Sequence, residues 1–68
     1  MEPMKPMGEL KNGATLLQRE GNVVLARTHR DYVTWEITDE GDCYWGHYFM
    51  DDLSEAMDDF RERVAKAS

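Results

Sequence analysis

The sequence predicts an α+β domain in which an antiparallel meander of three or four strands carries one C-terminal helix across one face. Residues 32–49 form two runs of alternating aromatic and aliphatic side chains separated by an acidic turn, a pattern typical of a β-hairpin. Residues 53–64 then place apolar side chains at spacings of three and four, which indicates an amphipathic helix. The predicted order along the chain is β-β-β-β-α.

The chain has 68 residues, enough for one domain. Residues 1–7, with two prolines and no periodicity, are predicted to be a flexible N-terminal arm, and residues 8–68 a single small α+β domain. A domain of this size buries only about 60% of the surface of its unfolded chain. Because Cys43 is the only cysteine, no internal disulfide can add support, and a metal or self-association remains as a stabilising device.

The first half of the domain is predicted to contain a hairpin. Residues 14–19 and 22–28 are rich in aliphatic and β-branched side chains and flank the turn Glu20-Gly21. Upstream, Asn12-Gly13 readily adopts the positive φ angles of a type I′ turn, so an extra short strand over residues 8–11 is an open alternative.

The second half is predicted to be a hairpin closed by the turn Asp39 to Asp42. If those two residues pair, the facing pairs on one side are Ile37 with Tyr44, Trp35 with Gly46 and Val33 with Tyr48, and on the other Glu36 with Trp45, Thr34 with His47 and Tyr32 with Phe49. Gly46 leaves room for the indole of Trp35 to lie across its strand. A three-residue loop with a bulge would shift the pairing by one residue.

The helix has agreeing signals at both ends. Its apolar stripe consists of Leu53, Ala56, Met57, Phe60 and Val64. Asp52 and Glu55 have the spacing of a capping box, and basic side chains occupy the last turns.

One helix is too narrow to cover both faces of the sheet. The face expected beneath it carries Leu17, Val24, Ala26, Val33, Trp35, Ile37, Tyr44 and Tyr48. The other face keeps Leu16, Leu25, Tyr32, Trp45 and Phe49 among polar side chains. An open apolar area of more than a few hundred Å² usually marks an interface, so we expect the N-terminal arm or a second copy of the chain to cover it.

No constellation predicts catalysis, a cofactor or a metal. Cys43 and His47 are four residues apart on one strand, roughly 13 Å, which is too far for a nucleophile and its base. His29, His47 and Cys43 lack the spacing of zinc ligands, and no phosphate-binding loop is present. We therefore expect a protein that is not an enzyme.

The formal net charge of −6 is concentrated in the second half, where residues 35–68 carry −7 and residues 1–34 carry +1. This balance argues against direct binding to nucleic acid and favours a basic protein partner. No apolar run reaches the about 20 residues needed to cross a bilayer, so no membrane is expected. A lone thiol is typical of a reducing compartment, which indicates a cytoplasmic protein.

Several segments together carry a resemblance: KNGATLLQREGNVVLA (residues 11–26), YVTWEI (32–37), EGDCYWGHYF (40–49) and the helix LSEAMDDFRERV (53–64). Over residues 8–64 the chain resembles short uncharacterised proteins of gut Firmicutes and their phages or mobile elements. The resemblance implies a small accessory protein of bacterial origin. It transfers no functional residue, because that group carries no assigned activity.

The sequence favours a non-catalytic module that binds a protein partner or a second copy of itself. The predicted contact residues on the open sheet face are Tyr32, Trp45, His47 and Phe49. The alternative is an acidic inhibitor whose helix mimics the charge of a nucleic acid and blocks a basic nucleic-acid-binding protein. Its contact residues are Glu55, Asp58, Asp59 and Glu62.

Overall fold

A computed structural model describes residues 7–67 and confirms the α+β fold. The strands are β1 (Gly8–Glu9), β2 (Thr15–Glu20), β3 (Val23–Arg27), β4 (Tyr32–Ile37) and β5 (Cys43–Tyr48), followed by helix α1 (Leu53–Ala67). They form one antiparallel sheet in sequence order. The sheet has five strands because the short β1 pairs with β2. Apart from Met7, the predicted arm lies outside the described residues.

Two of the hairpin loops contain three residues and end in a glycine with positive φ. Thr38 and Asp42 are joined by the hydrogen bond from Thr38 N to Asp42 O (2.9 Å), and Gly41 has a φ of 88°. Residues 10–14 repeat this arrangement, with Gly13 at a φ of 91°. The type I′ turn predicted at Asn12-Gly13 is therefore wrong, because the chain uses a longer loop in which only the glycine takes the left-handed conformation.

The three-residue loop shifts the first β4–β5 pairs by one residue from the predicted register. A bulge farther along β5 then restores the predicted register. Ile37 pairs with Cys43 and Glu36 with Tyr44, one residue away from the predicted register. An extra residue in β5 at Trp45 brings Thr34 opposite His47 and Val33 opposite Tyr48, as predicted. The predicted closeness of Trp35 and Gly46 is also confirmed, because the indole lies directly against the glycine.

The helix packs on the opposite face of the sheet from the one predicted. Its buried residues Ala56 and Phe60 contact Leu25 and Val23, and the cluster extends to Leu17, Tyr32, Phe49, Leu53, Met57 and Val64. The strands place Val24, Ala26, Val33, Trp35 and Ile37 on the other face. The predicted assignment failed because it considered apolar residues alone, whereas the helix side also carries polar groups that bind the sheet.

The face away from the helix is closed by the curl of the sheet. Its core residues on β3 and β4 are at most 7% exposed and pack with Leu10 and Ala14, which flank the β1–β2 loop, whereas Tyr48 on the edge strand is 59% exposed. Lys11 of that loop lies 3.1 Å from Asp42 in the β4–β5 loop. In a flat meander these two loops would be three strand spacings apart, about 14 Å, and at opposite ends of the strands. The predicted open apolar face is therefore wrong, because the sheet folds around its own second core.

Gly46→Ala is expected to lower the free energy of unfolding by about 2 kcal/mol, because overpacking displaces well-packed atoms. A Cβ at this position would lie 2.5 Å from Nε1 of Trp35. Urea denaturation measures the loss. In a Trp35→Phe background the same substitution should cost clearly less, and an equal cost in both backgrounds would contradict the contact.

Candidate functional site

Of the four contact residues predicted on the sheet, three are engaged with the protein itself. Tyr32 and Phe49 are half-buried in the helix-side cluster, and the guanidinium of Arg27 covers the Tyr32 ring at 4.3 Å. His47 is exposed, but its Nδ1 lies 3.1 Å from both carboxylate oxygens of Asp59. Trp45 alone is free to contact a partner, with 70% of its surface exposed.

A polar network joins the helix to the sheet beside His47. The carboxylate of Asp59 accepts hydrogen bonds from the Thr34 hydroxyl at 2.5 Å and from Nε of Arg63 at 3.2 Å. Thr34 is fully buried and the Arg63 side chain is only 10% exposed. Burial alone would raise the pKa of Asp59, but the hydrogen bonds from Thr34 and His47 and the charges of His47 and Arg63 lower it below its usual value.

Arg63 also fixes the bulge of β5. Its Nη2 donates a hydrogen bond to the backbone oxygen of Trp45, and its Nη1 lies 3.6 Å from a carboxylate oxygen of Glu36. Trp45 has a φ of 52°, a left-handed conformation that bulky side chains rarely adopt. The guanidinium therefore holds the backbone in a strained conformation that turns the indole outward.

The exposed pair Tyr44 and Trp45 beside the bulge forms a surface that we name the β5 strip, whereas the exposed Tyr48 pairs with Val33 on the face away from the helix. The rings of Tyr44 and Trp45 lie 4.9 Å apart in an edge-to-face contact. Sequence reasoning missed Tyr44 because it placed that residue under the helix. The sequence did contain a signal for the face on which the helix packs. Thr34, Glu36 and His47 are polar positions on one face of the sheet, and the helix carries Asp59 and Arg63, which can bind them.

The predicted acidic face of the helix is divided by the structure. Asp59 points into the network with Thr34 and is not part of an exposed surface. Glu55, Asp58 and Glu62 are exposed. Two of these are paired on the helix itself, Asp58 with Arg61 at 3.4 Å and Glu62 with Lys66 at 3.2 Å. Two of the three exposed carboxylates are therefore opposed by a neighbouring cation, although exposed pairs of this kind are weak.

The Cys43 thiol is poorly suited to nucleophilic attack. Burial, followed by the charge of Asp42, raises its pKa, so the thiolate is disfavoured. The side chain packs against the core away from the helix. Within residues 7–67, no three His, Cys, Asp or Glu side chains are grouped as metal ligands, and no helix there has the length and hydropathy needed to span a bilayer.

Comparisons of the chain with models of protein families, with curated proteins and with solved structures found no match.

Asp59→Asn is expected to lower the free energy of unfolding at pH 7 by about 2 kcal/mol, because hydrogen bonds to a charged group are lost. The pKa of Asp59 is lowered in the folded protein, so its carboxylate stabilises the fold above the ordinary pKa of aspartate, about 4, and stops doing so as pH falls through the folded value. The difference between wild type and variant should therefore shrink on acidification.

Asp58→Asn is the matched control, because this carboxylate is adjacent in sequence and 74% exposed. Its effect should stay within about 0.5 kcal/mol across the same pH range. Denaturant titrations from pH 3 to pH 7 measure both variants. Equal losses of the free energy of unfolding for Asp58→Asn and Asp59→Asn would show that the network does not contribute more to stability than an exposed carboxylate.

Proposed function

We propose that this protein is a non-catalytic interaction module that uses the β5 strip to bind a basic protein partner. The observation that carries the proposal is Trp45, a large aromatic side chain that is 70% exposed at a strained backbone position. Tryptophan and tyrosine are the side chains most enriched among the residues that dominate binding energy at interfaces.

The strain at Trp45 supports a functional role. A non-glycine residue in the left-handed region costs on the order of 1–3 kcal/mol and persists only where its surroundings impose it. Here the surroundings are Arg63 and the network with Asp59, which are mostly buried. A glycine at this position would relieve the strain, so the presence of an indole is best explained by what the ring contacts.

The charge around the β5 strip favours a basic partner. The loop before β5 carries Asp39 and Glu40, and the segment after it carries Asp51 and Asp52, all of them exposed. Acidic groups at both ends of an aromatic strip complement a basic rim around an apolar pocket. They oppose a second copy of the same strip, which would bring acid against acid, and the bulge also hinders pairing between two β5 edges.

Trp45→Gly and Trp45→Ala test the strain directly. Both remove the ring, but only glycine adopts a positive φ without cost, so Trp45→Gly should be more stable than Trp45→Ala by about 1 kcal/mol. This order is the reverse of the usual one, because glycine within a strand is normally the less stable residue. Urea denaturation decides it, and an alanine variant as stable as the glycine variant would show that the position is unstrained.

Binding is tested with the wild-type protein immobilised in an extract of the source cells. The partner should be retained by wild type, lost with both Trp45 variants, and released as salt is raised, because surface charge attraction is screened. The partner is then purified and its affinity for each variant measured by calorimetry. A partner that binds the Trp45 variants as well as wild type would overturn the proposal.

The self-associating module and the acidic inhibitor stay predictions, and the same materials separate them. Sedimentation at high concentration should show a monomer if the partner is a different protein, whereas a dimer lost in Trp45→Ala would favour self-association. A double variant Asp58→Lys, Glu62→Lys reverses exposed helix charge without touching Asp59. Loss of the partner in that variant, with retention in Trp45→Ala, would favour the acidic inhibitor.

A further inference from the structure

An apolar groove lies between the helix and the part of the sheet formed by β2. The helix packs mainly on β3 and β4, so its flank beside β2 stays open. The groove has a volume of about 340 Å³, at the lower end of the range of binding clefts. Its apolar lining comes from Met57, Phe60, Val64 and Ala65 of the helix, and Gln18 and Glu20 of β2 lie on its other side.

The strand that borders this groove has an edge that is only partly covered. Within residues 7–67, β1 pairs with β2 at Thr15 and Leu16 and leaves residues 17–20 without a neighbouring strand on that side. Met7 N donates a hydrogen bond to Leu16 O at 2.7 Å, where the cover ends. Because β1 and β2 are antiparallel, an extended continuation of β1 before Met7 would run along β2 toward Glu20.

Residues 1–6, with the sequence MEPMKP, suit this position. Each proline fixes its own φ and restricts the residue before it, so Glu2 and Lys5 are biased toward extended conformations. A segment restricted in this way loses less conformational entropy when it docks. Met4 adds a flexible apolar side chain of the kind that fills irregular gaps.

The lengths of the segment and of the uncovered edge agree. Residues 17–20 of β2 extend over about 13 Å at about 3.3 Å per residue. Residues 3–6 extend over about 12 Å at the rise of about 3.1 Å per residue that is typical of proline-containing segments. Met4 would therefore lie opposite the stretch between Gln18 and Glu20, which borders the groove.

We infer that residues 1–6 dock in this groove, with the side chain of Met4 against Phe60 and Val64 and the ammonium of Lys5 beside Glu20. Glu20 is exposed and forms no ion pair with any of residues 7–67, so its charge is available to Lys5. Lys5 is also the only basic side chain among residues 1–6.

The covalent connection favours this segment over a separate partner. A tethered group has an effective concentration of about millimolar at a site that it can reach, so weak contacts are enough to hold it. Docked along β2, the segment also protects the edge, because Pro3 and Pro6 have no N–H with which a further strand could pair.

Docking of this segment is independent of the function proposed for Trp45. In the sheet, β5 is the last strand on one side, whereas β2 lies toward the other side. Trp45→Ala should therefore leave the docked segment in place. Failure of one proposal can be distinguished from failure of the other.

The test uses full-length protein labelled with ¹³C at the methyl groups of methionine and valine. The Met4 signal is assigned with Met4→Leu. Nuclear Overhauser effects should join the Met4 methyl group to the Phe60 ring and to the Val64 methyl groups. Met50, which is 71% exposed, is the internal control and should show no contact with Val64.

A charge exchange tests the predicted position of Lys5. Glu20→Lys should reduce the Met4–Val64 effect about threefold, as expected for loss of an exposed ion pair. The double variant Lys5→Glu, Glu20→Lys should restore it. Asp39→Lys makes the same change at an exposed acidic residue of the β4–β5 loop and should have no effect. Circular dichroism confirms that each variant is folded.

Three results would overturn the inference. The first is a Met4 methyl group without contacts to the helix in folded wild-type protein. The second is a double variant that stays as weakly docked as Glu20→Lys. The third is a Met4–Val64 contact between differently labelled copies in a mixed sample, because the occupant would then be the segment of a second copy.

Discussion

The carboxylate of Asp59 and the guanidinium of Arg63 connect the helix to the sheet, and much of the structure depends on this pair. Asp59 binds Thr34 and His47, and Arg63 binds the backbone of Trp45 and approaches Glu36. A helix packed by apolar contacts alone could lie on either face of this sheet, since both faces are apolar. The pair selects the face with matching polar groups, and in doing so it also determines where the β5 strip meets solvent.

Mostly buried charged groups are costly unless each is paired and hydrogen-bonded, and the network supplies partners from two strands for all of its buried polar atoms except Nη1 of Arg63, which only approaches Glu36 at 3.6 Å. The network therefore specifies how the helix is placed on the sheet more than it increases the free energy of unfolding. Arg63 contacts the bulge at Trp45, and its carboxylate partner Asp59 contacts His47.

The local elements could be predicted from the sequence because local signals determine them. The alternation in residues 32–37, the apolar stripe of the helix and the cap at Asp52, whose Oδ1 accepts a hydrogen bond from Glu55 N at 3.0 Å, all involve residues close in sequence. The contact of Trp35 with Gly46 was also predictable, because a large ring opposite a glycine is a recognisable pair. The exposure of Trp45 agrees with the sequence prediction, although it depends on the bulge that Arg63 contacts.

The face chosen by the helix, the curl of the sheet and the groove beside β2 could not be predicted in this way. Each depends on residues distant in sequence, such as Lys11 with Asp42 and Thr34 with Asp59. The register shows the same limit. A longer loop and a bulge each displaced β5 by one residue, and the two displacements cancelled between Thr34 and His47.

Each strand is hydrogen-bonded to its sequence neighbour. A meander of this kind is rich in contacts between sequence neighbours, so the sheet can assemble hairpin by hairpin with little loop-closure entropy.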